Sequence, residues 1–316
     1  MTDRIPQNSS QEILLIGIDI GGTKTAVCIG GQSGKILEKK SFPTDKNPGT
    51  AQENIFNECG TLIEKFGKEA GRKISAIGVS CGGPLDSESG VIQSPPNLPG
   101  WDDVPIINIL KEKFGIPAFI ENDANACALA EWLYGAGKGC RSMAFFTFGT
   151  GFGGGLIFDE KLYRGTSGLA GEVGHIRMSE TGPAGYGKNG SLEGWCSGGG
   201  LSEAYYGMYG ERISGGEVCK RAERGEANAL KIIEDSAHML GHFLAGLIDV
   251  LNPERIVIGS IFARSESLFR PVVEKIIRSE CLPRTAAACV IYPAALGENL
   301  GDVAALSVAA NGLELL

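Results

Sequence analysis

Two segments of this chain follow the same pattern. Residues 16–31 read IGIDIGGTKTAVCIGG and residues 143–158 read MAFFTFGTGFGGGLIF. Each is a short apolar run, a glycine-rich turn and a second β-favouring run, the pattern of strand, tight turn, strand. The first continues as QSGKILEK and the second as DEKLYRG, so the parallel extends past the turn and its second run. A pattern used twice implies two similar halves. The length of 316 residues also exceeds what one core usually serves, which favours two domains. Glycine is abundant, at 47 residues, but with 43% of the chain hydrophobic it signals many turns rather than disorder.

Between and after the two segments the periodicity alternates. Ile55, Cys59, Leu62, Ile63 and Phe66 recur at helical spacing and predict a helix over 54–70. Residues 74–79 and 118–121 read as buried strands, and Asp123 stands where it could cap the helix ANACALAEWLY that stops at Gly135. Further on we expect a helix over 227–251, a strand IVIG set off by Pro253, a helix near 266–278, a strand near 288–292 and a closing apolar helix near 303–310. The domain break is expected near 122–125. Residues 1–12 form a disordered lead, 13–123 with about 300–316 the first α/β lobe, and 124–299 the second.

Composition narrows the partners. A formal charge of −8 argues against a broad nucleic-acid surface, which needs clustered Lys and Arg. Nine scattered cysteines, none spaced C-x-x-C, suggest neither a disulfide framework nor a ribbon-type zinc site, and fit a reducing cytoplasm. The start, MTDRIPQNSSQE, lacks an apolar core, and no apolar run approaches a membrane span. A small-molecule ligand is expected, with no nucleic acid and no membrane.

Several motifs offer chemistry beside a plainer reading. Gly21 and Gly22 expose backbone N–H groups, Thr23 adds a hydroxyl, Lys24 a cation and Asp19 a carboxylate for hydrated magnesium; the plainer reading is an ordinary hairpin turn. GTGFGG at 149–154 matches the dinucleotide fingerprint, but a strand rather than a helix follows it, so a second phosphate-cradling hairpin is the better reading. GPAGYGKN at 182–189 nearly spells a P-loop. It fails, because no strand precedes it, no helix follows directly and Pro183 sits in the cradle. Glu172, His175 and Glu193 around it can bind sugar hydroxyls, bind a metal or line a solvated surface. Asp123 is either a helix cap or a catalytic carboxylate at a strand end, and Asn97 and Trp101 in PPNLPGW are either structural or ligand-facing.

Together IGIDIGGTK, CGGPLD, NLPGW, ENDANACALAE, GTGFGGG, GLAGEVGH and IVIGS resemble, in order and spacing, the ROK family of bacterial repressors, open reading frames and sugar kinases. The resemblance runs from Ile13 to about Ala310. It implies an α/β, two-lobed actin/hexokinase/Hsp70-like fold, each lobe carrying a ribonuclease H-type sheet, with a central ligand cleft. It also implies ATP-dependent phosphorylation of a hexose with Mg2+. Asp123 then matches the general base. Gly83, Asn97, Asn122, Glu172, His175 and Glu193 match the sugar-binding positions. Asp19, Gly21, Gly22, Thr23, Lys24, Thr150 and Gly151 match the phosphate and Mg positions, and Gly259 lies against the adenosine. Relatives of this kind are commonly homodimers.

One departure stands out. Family members usually carry a zinc loop in which the histidine of the GH pair joins three cysteines. At the aligned positions this chain has Ala184, Tyr186 and Ser191, none of which supplies the thiolate a closed zinc site requires, so no structural zinc is expected. His175 then needs another partner, expected within the loop itself. Glucose is the first expected substrate, N-acetylmannosamine or N-acetylglucosamine the next. A sugar-responsive regulator is disfavoured because only 12 residues precede Ile13, too few for a helix-turn-helix domain. A non-catalytic sugar-binding protein is the remaining alternative.

Overall fold

A computed structural model of the chain describes residues 13–69 and 72–315. The expected lead, 1–12, and Ala70 at the end of the first expected helix lie outside the described residues. The chain divides into two compact units: the residues up to Asn122 together with those from Gly301, and Asp123–Leu300. The break falls one residue before the expected 123/124, so Asp123 opens the second unit.

The first unit contains β1 (Leu14–Ile20), β2 (Lys24–Gly31), β3 (Ile36–Pro43), α1 (Pro48–Leu62), β4 (Ile74–Cys81), a small hairpin of β5 (Leu85–Asp86) and β6 (Val91–Ile92), α2 (Ile106–Phe114) and β7 (Ala118–Asn122). Its sheet runs β3-β2-β1-β4-β7, with the first three strands antiparallel and β4 and β7 parallel to β1. Strand alternation decides what each face meets. Leu14, Ile16, Ile18 and Ile20 join Ile55, Leu62, Ile106 and Leu110 in one core. Leu15 and Ala76 face the other way, onto Leu306, Ala309 and Ala310 of the C-terminal helix Leu300–Gly312. That helix lies directly on the strand backbone, since a Cβ on Gly78 would stand 2.1 Å from the carbonyl oxygen of Ala305.

Helix α1 starts earlier than its apolar spacing suggests. Pro48 occupies its first turn, and Asn47 accepts the Thr50 N–H at 3.2 Å. A cap plus an N1 proline sets the start, whereas apolar periodicity marks only the buried stretch. The helix runs on as a π-helical segment, Ile63–Glu69.

The second unit contains α3 (Asp123–Tyr134), β8 (Met143–Phe148), β9 (Phe152–Phe158), β10 (Lys161–Tyr163), β11 (Ala184–Gly185), β12 (Lys188–Asn189), α4 (Leu192–Trp195), α5 (Gly198–Tyr209), α6 (Gly215–Glu223), α7 (Ala227–Leu251), β13 (Arg255–Ser260), α8 (Ile261–Arg264), α9 (Glu266–Glu280), α10 (Pro283–Ala288) and β14 (Val290–Pro293). Its main sheet runs β10-β9-β8-β13-β14. The first three strands are again antiparallel, and β13 and β14 run parallel to β8. The repeated sequence pattern has thus built the same sheet twice, the ribonuclease H-type layout of actin/hexokinase-like folds. On one face Phe146, Phe148 and Phe152 pack with Phe243 of α7 and Phe269 of α9. On the other, α3 packs Ala128 and Leu129 against Met143, Phe145, Ile157 and Val257. No helix among the described residues is long and apolar enough to cross a membrane.

Candidate functional site

In the first unit the candidate groups gather at the carboxyl ends of the parallel strands. Ile20 of β1 pairs with Cys81 of β4, and Cys81 with Asn122 of β7, so the segments after these residues leave the sheet at one edge. In α/β folds that edge is where ligands are met. The turn after β1 is closed by the Gly21 N–H donating to the Lys24 carbonyl at 3.0 Å and by the Thr44 hydroxyl donating to the Gly21 carbonyl at 2.6 Å. Gly21 therefore shapes the hairpin, leaving Gly22 and Thr23 as its exposed tip, with Lys24 opening β2 beside them. Asp19 is half-buried beside Gly301, where an added Cβ would come within 2.5 Å of its carboxylate. Asn97 lies against both Gly22 and Gly82, and Gly83 stands beside the Asn122 amide, 3.4 Å from a Cβ built on it. Trp101 is buried in the core, which settles its two readings in favour of the structural one.

The second unit repeats the turn. The Gly149 N–H donates to the Gly151 carbonyl at 3.0 Å, and the N–H groups of Gly198 and Gly199, opening α5, donate to the carbonyls of Gly149 and Thr150 at 2.8 and 3.3 Å. The glycines that follow have a different task. A Cβ on Gly155 would lie 2.6 Å from the Cβ of Ala128 and 2.8 Å from the Ala124 carbonyl, so Gly155 lets α3 approach β9. Gly259 is the penultimate residue of β13, next to Ser260, whose φ of 57° is left-handed, and Ser260 stands beside the Gly149 turn. Sequence reasoning stopped at Gly259. Nothing in a serine announces a positive φ, which is strained for a residue with a Cβ.

Asp123 is the first residue of α3, immediately after β7. Its carboxylate accepts the Ala124 N–H at 2.8 Å. The side chain is open to solvent, yet protein packed around the carboxylate penalises its charge and raises its pKa above the ordinary aspartate value, only partly offset by the N–H bond. Glu172 and His175 flank a single 3-10 turn, Val173–His175, and both are exposed. The Glu172 pKa is raised too, first by partial desolvation from the protein packed around it; the His175 charge lowers it and those of Asp123 and Glu193 raise it, which places all four groups within electrostatic reach. Glu193, in α4, accepts the Phe152 N–H at 3.1 Å and so ties this group to the Gly149–Gly151 turn. Three carboxylates and an imidazole on well-held backbone suit a polyhydroxylated ligand, whose hydroxyls both donate and accept.

A ROK family model matches residues 15–311. The chain belongs to the ROK family. It is 31% identical to the glucokinase of Halalkalibacterium halodurans over 91% of this chain and 92% of that one. It is also 29% identical to the xylose repressor of Caldicellulosiruptor bescii, over 83% of this chain and 69% of that one. Among solved structures, the ROK hexokinase of Thermus thermophilus superposes with a TM-score of 0.84 at 31% identity, covering 96% of this chain and all of that one. A ROK family glucokinase from Streptomyces griseus in complex with glucose and AMPPNP gives 0.74 at 28% identity, covering 94% of this chain and 99% of that one.

Ala184, Tyr186 and Ser191, the positions expected to match zinc ligands, lie in and just after a short hairpin. Ala184 and Gly185 pair with Asn189 and Lys188 as a short hairpin. Ser191, fully buried, caps α4 by accepting the Gly194 N–H at 3.1 Å and donates to the Gly185 carbonyl at 3.2 Å. Tyr186 stacks on the His175 imidazole, with ring centroids 3.8 Å apart and planes 20° from parallel. Lys188 donates to the His175 carbonyl at 2.7 Å. Tyr186 thus covers a face of the His175 ring and holds its plane, whereas a partner that fixes the tautomer would have to bond a ring nitrogen.

Proposed function

We propose that this ROK chain is an ATP-dependent sugar kinase that phosphorylates the 6-hydroxyl of a hexose, glucose first among the candidates. The observation that carries the reading is Asp123: a carboxylate at the head of a helix, open to solvent, with its pKa raised, grouped with Glu172, His175 and Glu193. Phosphoryl transfer needs positioning, charge neutralisation and a base in reach of the nucleophile. Asp123 takes the proton of the sugar hydroxyl as its oxygen attacks the γ-phosphorus, the bond to the bridging oxygen breaks and ADP leaves. Raised basicity suits that task, because a carboxylate held nearer neutrality accepts a proton more readily.

Glu172, His175 and Glu193 hold the ring hydroxyls in this reading, and Gly83, Asn97 and Asn122 of the first unit are further proposed sugar contacts. Thr23 and Lys24 with Thr150 and Gly151 are proposed to hold phosphates, and Gly259 the adenosine. Asp19 is the residue that would hold Mg2+, and its carboxylate fits, since Gly301 leaves it room at the strand end. Bound Mg2+ would neutralise phosphate charge.

The similarity to glucokinases supports kinase activity, while that to a xylose repressor keeps a sensor role as the rival. A coupled ADP-release assay with MgATP and a panel of glucose, mannose, N-acetylmannosamine, N-acetylglucosamine and xylose separates them. The proposal expects turnover with glucose. Sugar binding without turnover on any member would establish the sensor instead.

A further inference from the structure

We propose that Tyr186 is a positioning residue for the sugar site, holding the plane of the His175 ring by stacking on it. The inference rests on the sugar-binding role proposed above for His175.

The backbone supplies the first argument. Tyr186 and Gly187 are the two residues between the paired Gly185 and Lys188, and both have left-handed φ, 53° and 68°. Such a two-residue hairpin loop favours Asn-Gly or Gly-Gly at these positions, because a bulky residue is strained there. Strain of this kind persists only where the surroundings over-determine it. Here the ring is held by its stack on His175. Gly174, one residue before His175, lies under the same ring: an added Cβ would stand 2.4 Å from the Phe152 carbonyl oxygen and 3.1 Å from the Tyr186 ring. The loop tip is thus fitted against the turn that carries His175.

The second argument is chemical. A metal ion that captured His175 would occupy one ring nitrogen. A stack acts on the faces of the ring, and both nitrogens, which lie in its plane, stay available as donor and acceptor for hydroxyls. The phenol stays neutral throughout the working range, because the protein packed around it, followed by the charges of Glu193 and Glu172, raises its pKa above the ordinary tyrosine value.

The test uses Tyr186→Asn and Tyr186→Phe in the full chain. Asn prefers left-handed φ before glycine, so Tyr186→Asn should keep or raise the melting temperature while raising KM for the sugar about fivefold, the loss expected from one stack. Tyr186→Phe keeps the stack, so its KM should stay near that of the wild type. The proton resonances of the His175 ring should be shifted upfield by the Tyr186 ring in the wild type and lose that shift in Tyr186→Asn, with His238 and His242 of α7 unmoved. A folded Tyr186→Asn protein with wild-type KM overturns the proposal, as do His175 resonances that do not respond. A wild-type protein that turns over no sugar overturns the kinase reading, and the resonances still report on Tyr186.

Discussion

At the scale of single residues, Asp123 places stability and function in opposition. Its folded pKa lies above the ordinary aspartate value because the protein packed around the carboxylate disfavours the charge. The folded state therefore holds the proton more tightly than the unfolded chain does. The stabilising contribution is fully present below the ordinary pKa and is lost as pH rises through the raised one, so at neutral pH the ionised group weakens the fold. Asp123→Asn keeps an oxygen for the Ala124 N–H and removes the charge. It should raise the melting temperature at pH 7, with the gain shrinking toward acid pH, while turnover falls by about 10²- to 10⁴-fold. The acid limb of kcat/KM should likewise sit above the ordinary aspartate range in the wild type, because the base must be ionised to act; a limb at or below that range would remove Asp123 as the base. The candidate carboxylates and His175 were legible in the sequence, because each sits in a recognisable motif at a strand or turn end. Tyr186 and Ser260 were not, because left-handed backbone at a tyrosine or serine contradicts local preference, and only Gly187, beside Tyr186, hinted at the tight turn.

At the scale of elements, close helix-to-strand contacts make some glycines irreplaceable and leave others free. Gly78→Ala would drive a methyl into the Ala305 carbonyl, and Gly155→Ala into Ala128. Each should lower stability by about 1–3 kcal/mol, read as a lower denaturation midpoint. Gly259 has ordinary contact space, 3.4 Å to the Phe145 ring. Gly259→Ala should therefore leave stability nearly unchanged and raise KM for ATP if the residue lies against adenosine as proposed. The same contrast explains what element-level reading reached. Strong periodicity found α7, Ala227–Leu251, at its observed ends, because a 25-residue amphipathic run is unambiguous. It misplaced the start of α1, because the first turn is set by Asn47 and Pro48 and carries little apolar pattern. Gly155, just past the expected cradle at 149–154, admits α3, a purpose visible only once β9 and α3 are packed.

At the scale of the whole molecule, the sheet repeat was open to view, because two copies of strand, glycine turn and strand can only build two similar hairpins, and the order β3-β2-β1-β4-β7 recurs as β10-β9-β8-β13-β14. The sugar preference was not, since discrimination between a hydroxyl and an acetamido group depends on pocket shape rather than on motif spacing. Ligand linkage gives a global check: a sugar present at 100 times its Kd stabilises a protein that binds it only when folded by about 2.7 kcal/mol, so the melting temperature should climb with glucose concentration. An unchanged melting temperature across the hexose panel would argue against a sugar site of any kind. The most direct test of the central claim is the formation of glucose 6-phosphate from glucose and MgATP by wild type and Asp123→Asn, with the glucose Kd of both measured in parallel. The account predicts product from the wild type, at least about a hundredfold less from the variant, and Kd values within a few-fold of each other. Undiminished turnover in Asp123→Asn, or no 6-phosphate from the wild type, would contradict it.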